Sequence, residues 1–414
     1  METSPQCVNN TASLSVFHET PLLSLSQDKI SNDAHDKDTS PDKMYLGARE
    51  YYAEDGQVWT MSVVRKVQRQ MLTEPTRCLE YLSVLGQPEF NRAATALILG
   101  RESIAIVENR ADSIQVPGAD AALFMAAQFL KQWFTITHPR PTTVYISEPC
   151  WESHTFAFHG AGFTDIRHYQ YWDSERARLA IPQWLQDMER KNLFPFFFVT
   201  SLGLASGDLH KDAFPVRHFV TERFELFCAQ SFSKNFGLYN QRVGSLTFVS
   251  RDNQSLVRIR SQLAAAAMST WGNPPNMGAH IVVTILNNPA FFTEWQHSIR
   301  NMARRLMLTR EKLSEELRTL GTPRPLNYIS RQIGLYVFAD FTDSEIEYLK
   351  KRRHIHLTSI GQINMSLINN QNLPYVARCI NEAVQAAGEH PASAQATQPS
   401  LLAALPVSQI LSLQ

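Results

Sequence analysis

Short apolar runs alternating with helical periodicities confine this chain to a sheet covered by helices. Thr143-Val-Tyr-Ile146, the run LFPFFFV at 193–199 and the segment from Phe224 to Ala229 read as strands. After Asp120, residues Leu123, Ala126, Ala127 and Leu130 recur at i, i+3, i+4 and i+7, the spacing of one helix face. A long helix is predicted over about 292–320, carried by Ile299, Met302, Leu306, Leu313, Leu317 and Leu320, with Gly321 placed to stop it. Beyond it the pattern is that of a smaller α/β unit, closed by a helix with Val376, Ile380 and Val384 at four-residue steps. Strand and helix alternation of this kind predicts an α/β fold with a largely parallel sheet.

With 414 residues the chain is long enough for two domains, or for one domain with a substantial appendage. The expected division has a mostly flexible arm at 1–43, a large domain at 58–300, a small domain built from 44–57 and 301–388, and a disordered tail at 389–414. Within the arm, Leu14-Ser-Val16-Phe17 is an apolar patch able to tie it to the body. The 39 basic side chains are balanced by 39 acidic ones, so phosphate-backbone binding is not the expected task and no nucleic-acid partner is predicted. No apolar run approaches the eighteen or so residues of a membrane span, so no membrane partner is predicted either. Five cysteines are scattered without metal-type spacing, and METSPQCVNNTASLSVF has neither the basic nor the apolar region of a signal peptide. These features predict reduced thiols and a cytoplasmic location.

The segment richest in chemistry is CAQSFSKNFGLYNQRVG, residues 228–244. An apolar strand delivers Lys234 into a turn flanked by Ser231, Ser233 and Gly237, and Arg242 returns eight residues later. A lysine between apolar elements loses hydration, which favours its neutral, nucleophilic form. Two hydroxyls and a guanidinium beside it are able to hold a phosphate. An amine next to a phosphate anchor is what pyridoxal 5'-phosphate requires. The same residues also suit a surface turn with a solvated lysine and serines bonded to the backbone.

SFSKNFGLYNQRVG resembles the cofactor-lysine signature of the aspartate aminotransferase family. The resemblance runs from Ser13 to about Ala386 through GFTDIRHYQYWD, ERFELFCAQ, WGNPP and NEAV. It implies a fold-type-I pyridoxal-phosphate transferase, with the cofactor in the large domain, acting as a homodimer with active sites at the subunit interface. The implied ancestral reaction moves an amino group between L-aspartate and 2-oxoglutarate, so a dicarboxylic amino acid or 2-oxo acid is the implied substrate. By this resemblance Lys234 is the catalytic Schiff-base lysine, while Ser231, Ser233 and Arg242 contact the cofactor phosphate. Trp151 stands where an aromatic covers the pyridine ring and His154 where the family has a ring-side histidine. Tyr81 matches a tyrosine that reaches the neighbouring subunit's phosphate. From their own spacing, Trp151 and Tyr81 read equally well as packing residues.

Other family positions are altered. Phe198 replaces the aspartate that pairs with the pyridinium nitrogen, and Ser201 replaces a tyrosine that bonds the phenolic oxygen. The two substrate-carboxylate arginines are replaced by Gln362 and Met268. At the phosphate loop Gly118-Ala119-Asp120 stands for a glycine-threonine turn, where Asp120 is expected to cap the helix while repelling a phosphate. About 30 residues are missing before Leu193, the size of one strand–loop–helix unit. Either LFPFFFV moves into the vacated strand position or the sheet is disordered around it. His354 and His356, expected on one strand face, lack a third ligand signal and predict no metal site. Lys351-Arg-Arg353 reads as a solvated basic helix end. Two readings follow: an aspartate aminotransferase-like enzyme with impaired activity, or a catalytically dead pseudoenzyme serving as a dimeric interaction scaffold.

Overall fold

The computed structural model describes residues 15, 17–22, 26–73, 80–137, 142–148, 150–170, 172–173, 178–179, 188, 190, 193–324, 326–358, 360–389 and 408–413. Its strands are β1 (Met44–Tyr45), β2 (Ala111–Val116), β3 (Thr143–Glu148), β4 (Asp165–Gln170), β5 (Trp172–Asp173), β6 (Arg178–Leu179) and β7 (Phe194–Val199). They continue with β8 (Leu226–Ser231), β9 (Gly244–Val249), β10 (Tyr336–Phe338), β11 (Ile355–His356), β12 (Gln362–Asn364) and β13 (Ser408–Leu413). The main sheet has seven strands in the order β2-β9-β8-β7-β13-β3-β4. Of these, β9 and β13 run against the other five.

Both faces of this sheet are buried, which explains the unbroken apolar run of its central strand. In β7, Phe197 and Val199 join the core on one face while Phe196 and Phe198 join the core on the other. Neighbouring β8 divides in the same way, Cys228 to one side and Phe227 with Ala229 to the other. The predicted helix after Asp120 spans Ala119–Phe129, and the long one spans Pro289–Thr319, with Gly321 turning away at φ +67°. A second, smaller unit is built from β1 with β11, β10 with β12, and the helices Asp343–Arg353 and Leu373–Glu389.

The two outer segments differ from expectation. The arm carries a helix, Gln27–Lys37, and just beyond it Asp38 accepts hydrogen bonds from His354 Nδ1 at 2.9 Å and His356 Nε2 at 2.8 Å. These bonds tie the arm to the small unit, and His354 sits on a left-handed helix cap rather than on a strand. Phe17 of the proposed anchoring patch is exposed, while Leu14 and Val16 lie outside the described residues.

The larger correction concerns the expected disordered tail. Its residues 408–413 form β13, antiparallel to both β7 and β3. Ser408 pairs with Val199 and Leu413 with Phe194, and on the other side Ser412 pairs with Tyr145. LFPFFFV has therefore not moved into a vacated place, since it keeps β8 as its parallel neighbour. Nor is the sheet interrupted. Two strands left with open edges expose unpaired backbone groups at a cost, and a third segment of any direction satisfies them. Residues 390–407, which lead into β13, lie outside the described residues.

Successive strand residues direct their N–H groups to opposite sides, so one of Ile410 and Leu411 aims its N–H at β7. Changing both to proline is expected to remove a ladder bond and leave a buried carbonyl unpaired, a cost of about 1–3 kcal/mol. Denaturant unfolding should register that loss, and an unchanged midpoint would show that β13 does not hold the sheet together.

Candidate active site

The strands β3, β7 and β8 end beside one cavity of about 390 Å³, the place where open α/β sheets bind ligands. Lys234, Ser231, Ser233, Arg242, Trp151, Phe198 and Asp120 line it from the large unit, and Arg49, Glu50 and Tyr336 from the small one. Of the seven site residues predicted from sequence, Lys234, Ser231, Ser233, Arg242 and Trp151 are brought together. Tyr81 and His154 are not.

The turn that presents Lys234 is fixed by its neighbours. Phe232 and Phe236, two residues to either side, are fully buried, and Phe236 stacks on Trp295 with centroids 4.7 Å apart. The Trp295 indole N–H donates to Asn235 O at 2.7 Å. Gly237 takes the positive φ of +66° that brings Leu238 N within 2.9 Å of Ser233 O. The lysine amine consequently faces the cavity with protein packed around it, 4.8 Å from the centroid of the Tyr336 ring. Desolvation, helped by the positive charge of Arg49, lowers its pKa from 10.5 to about 8, while Asp120 and Glu50 pull in the other direction.

Arg242 adopts a left-handed backbone conformation, φ +47°, and its guanidinium lies against Gly118. A side chain at Gly118 would meet Arg242 Nη2 at 2.5 Å, so only glycine permits this approach. Gly118 is the N-cap of the helix Ala119–Phe129, and Asp120 stands in its first turn, exposed, rather than capping it as expected. Ser233 Oγ is buried and has no hydrogen-bond partner among the described residues. A helix N-terminus, a guanidinium and an unpartnered hydroxyl together match a phosphate.

On the opposite wall the chemistry is apolar. Phe198 packs edge-on against His154, ring centroids 4.6 Å apart. His154 is completely buried, neither ring nitrogen has a partner among the described residues, and burial lowers its pKa to about 3. It supports Phe198 from behind and does not line the cavity. Trp151 stands 5.6 Å from Tyr336 in a T-shaped arrangement. Tyr81, 90% exposed, does not reach this chain's cavity. Met268 is also exposed, whereas Gln362 is buried in β12 with neither amide atom bonded among the described residues, and neither lines the cavity. Among the described residues no group of three or more His, Cys, Asp or Glu is placed to hold a metal ion. No helix among them is long and apolar enough to cross a membrane.

Arg49, Glu50 and Tyr336 were missed in the sequence because they belong to the small unit, far from the lysine segment in the chain. The charged pair in LGAREYY, directly after a short strand, was the available signal.

The description "Aminotransferase class I and II" fits residues 41–202 and 202–380, and the chain belongs to that family. It is 41% identical over 377 residues to the cytoplasmic aspartate aminotransferase of Gallus gallus, covering 83% of this chain and 92% of that protein. It is 36% identical over 402 residues to the Bos taurus protein named "Putative aspartate aminotransferase, cytoplasmic 2", covering 90% of this chain and 97% of that one. Among solved structures, the aromatic-amino-acid aminotransferase of Burkholderia pseudomallei, covalently bound to pyridoxal phosphate, superposes with a TM-score of 0.82. That match is 26% identical and covers 90% of this chain and all of that one. The fold is that of the fold-type-I pyridoxal-phosphate aminotransferases, and the cavity suits their cofactor at its amine-capturing and phosphate ends.

A neutral amine is required to attack an aldehyde, and the neutral fraction of Lys234 rises as pH passes through its depressed pKa. The rate at which a visible absorption band develops on adding pyridoxal phosphate is therefore expected to rise with a midpoint near pH 8. A midpoint near the ordinary lysine value would show that the amine is solvated.

Proposed function

We propose that this protein is a pyridoxal-phosphate-binding member of the aspartate aminotransferase group that holds its cofactor through Lys234 and transaminates aspartate poorly. The observation that carries this reading is the desolvated Lys234 amine in one cavity with Arg242 and the unpartnered Ser233 Oγ. Arg242, Ser231, Ser233 and the helix end at Gly118 would hold the phosphate, and Trp151 would cover the ring. When bound, the cofactor supplies an aldehyde for amine capture and an electron-withdrawing ring. Lys234 is placed to capture that aldehyde and, once released, to carry a proton at its Nζ.

Three features speak against efficient turnover of aspartate. Phe198 offers no carboxylate to keep a ring nitrogen protonated, and the buried, neutral His154 behind it does not replace one. By the resemblance, Met268 and Gln362 replace the arginines that would clamp two substrate carboxylates, and neither side chain lines this chain's cavity. Each charge-assisted hydrogen bond contributes about 1.5–3 kcal/mol, so losing both weakens transition-state binding on the order of a thousandfold. We further read the protein as a cytoplasmic homodimer. The names of its relatives support the location, and the exposure of Tyr81 and Met268 supports an interface that covers them.

Purified with pyridoxal phosphate, the protein is expected to carry a visible band that Lys234→Ala abolishes. Adding L-aspartate should bleach that band on the order of a thousandfold more slowly than in the chicken relative. Absence of a band in the natural protein would favour the scaffold reading, and rapid bleaching would show that the altered residues do not limit turnover.

A further inference from the structure

A groove of about 730 Å³ that shares no lining residue with the cofactor cavity lies between the helix Pro289–Thr319 and the segment 205–211. Arg300, Arg304, Met307, Arg310 and Glu311 line it from the helix, and their steps of three and four residues put them on one helix face. Arg300 and Arg304 are exposed, repel each other at four-residue spacing, and have no ion pair or hydrogen bond with another described residue. Arg310 is only 2% exposed. Its Nη2 donates to Gly334 O and Tyr336 O, while its buried Nε has no partner among the described residues. No carboxylate offsets this burial, and desolvation alone draws its pKa down from 12.5 to about 9. Buried charges are ordinarily paired. Of the carboxylates on the groove, Asp208 accepts from His210 N at 2.8 Å and Lys211 N at 3.2 Å, which leaves Glu311. His210 Nδ1 is itself bonded to Arg217 Nη1 at 2.6 Å. Four cations, Arg300, Arg304, Arg310 and Lys211, therefore line the groove with two carboxylates.

We propose that this groove is a second ligand site, for a small organic phosphate whose phosphoryl group is bound by Arg300, Arg304 and Arg310. Guanidinium donors match phosphate oxygens in pairs, and three guanidinium groups answer a dianion better than a single carboxylate. Arg310, the buried one, forms the inner end, and the exposed Arg300 and Arg304 close on the same group from the helix surface. Met307 and Ile333, both exposed and apolar, offer a surface to the organic part. Glu311 opposes the anion and sets a limit on its affinity.

The test is calorimetric titration of the full-length protein with phenyl phosphate, after excess pyridoxal phosphate has been removed by desalting, with benzoate as the single-carboxylate control. A binding event is expected that the double change Arg300→Gln, Arg304→Gln weakens by about tenfold or more, and benzoate should bind about tenfold more weakly than phenyl phosphate. Arg310→Lys should weaken phenyl phosphate as well, whereas Glu311→Gln should strengthen it. Should Arg310→Lys fail to fold because the side chain is buried, the exposed pair decides the matter. Phenyl phosphate taken up at Arg242 instead would be indifferent to changes at 300 and 304. Equal affinity in the natural protein and the double variant, or no uptake at all, would therefore overturn the proposal. So would benzoate binding as tightly as phenyl phosphate, or an Arg310→Lys protein that folds and binds as the natural one does.

Discussion

Unbroken hydrogen bonding between β7 and β3 is the constraint on which the rest of the molecule depends. Lys234, Ser231, Ser233 and Phe198 follow or belong to strands on one side of that junction, and Trp151 follows a strand on the other. Without a strand between them, the two walls of the cavity would belong to separate half-sheets whose relative position nothing in the backbone would fix. β13 closes the junction, and it does so antiparallel to both neighbours. Direction matters little here, because antiparallel pairing satisfies backbone groups at least as well as parallel pairing. The missing strand–loop–helix unit can therefore be replaced in the sheet without replacing its loop, so the cavity wall is rebuilt but the chemistry of the lost loop is not.

The cavity that results is polarised. One end gathers Arg242, Ser233 Oγ and a helix N-terminus around a glycine that permits close approach, and the lysine amine stands beside it with its charge disfavoured by burial. The other wall offers Phe198 with a neutral, buried histidine behind it. Holding a phosphate and capturing an aldehyde draw on the first set of groups. Stabilising charge that develops on a ring draws on the second. The physical requirements are separable: the groups that suit the first line this cavity, while Phe198 and the buried His154 stand on the second wall as hydrophobic packing.

Much of this was legible in the chain. The alternation of apolar runs and helical faces specified the main sheet's strands near residues 143, 194 and 226 and the helices after Asp120 and near 289, because a sheet buried on both faces requires continuous apolar strands. The lysine turn was legible because its bracketing phenylalanines and glycine act locally. The role of 408–413 was not, since the segment has no intrinsic reason to pair until two strand edges far away in sequence need a partner. Its Leu-rich composition was visible, but its vacancy was a property of the deletion before Leu193. His154 was misplaced for a related reason. The motif fixes its helix, yet whether the ring enters the cavity or lies behind it depends on the size of the residue at 198, and phenylalanine fills that space.

Arg49 shows the same non-local logic operating on charge. It lies on the small unit, and residues distant in sequence, among them Asn364 of β12, Tyr336 of β10 and Tyr239 after the lysine turn, bond its segment beside Trp151. A guanidinium in that position makes a cavity with three cations, Arg49, Lys234 and Arg242, and three carboxylates, Glu50, Asp120 and Glu152. Such a balance is poorly suited to a ligand bearing a phosphate and two further carboxylates, since each added anion would have to be matched by a cation already engaged. With Met268 and Gln362 at the positions that the resemblance gives to the two clamp arginines, the described lining of the cavity supplies no cation beyond Arg49, Lys234 and Arg242.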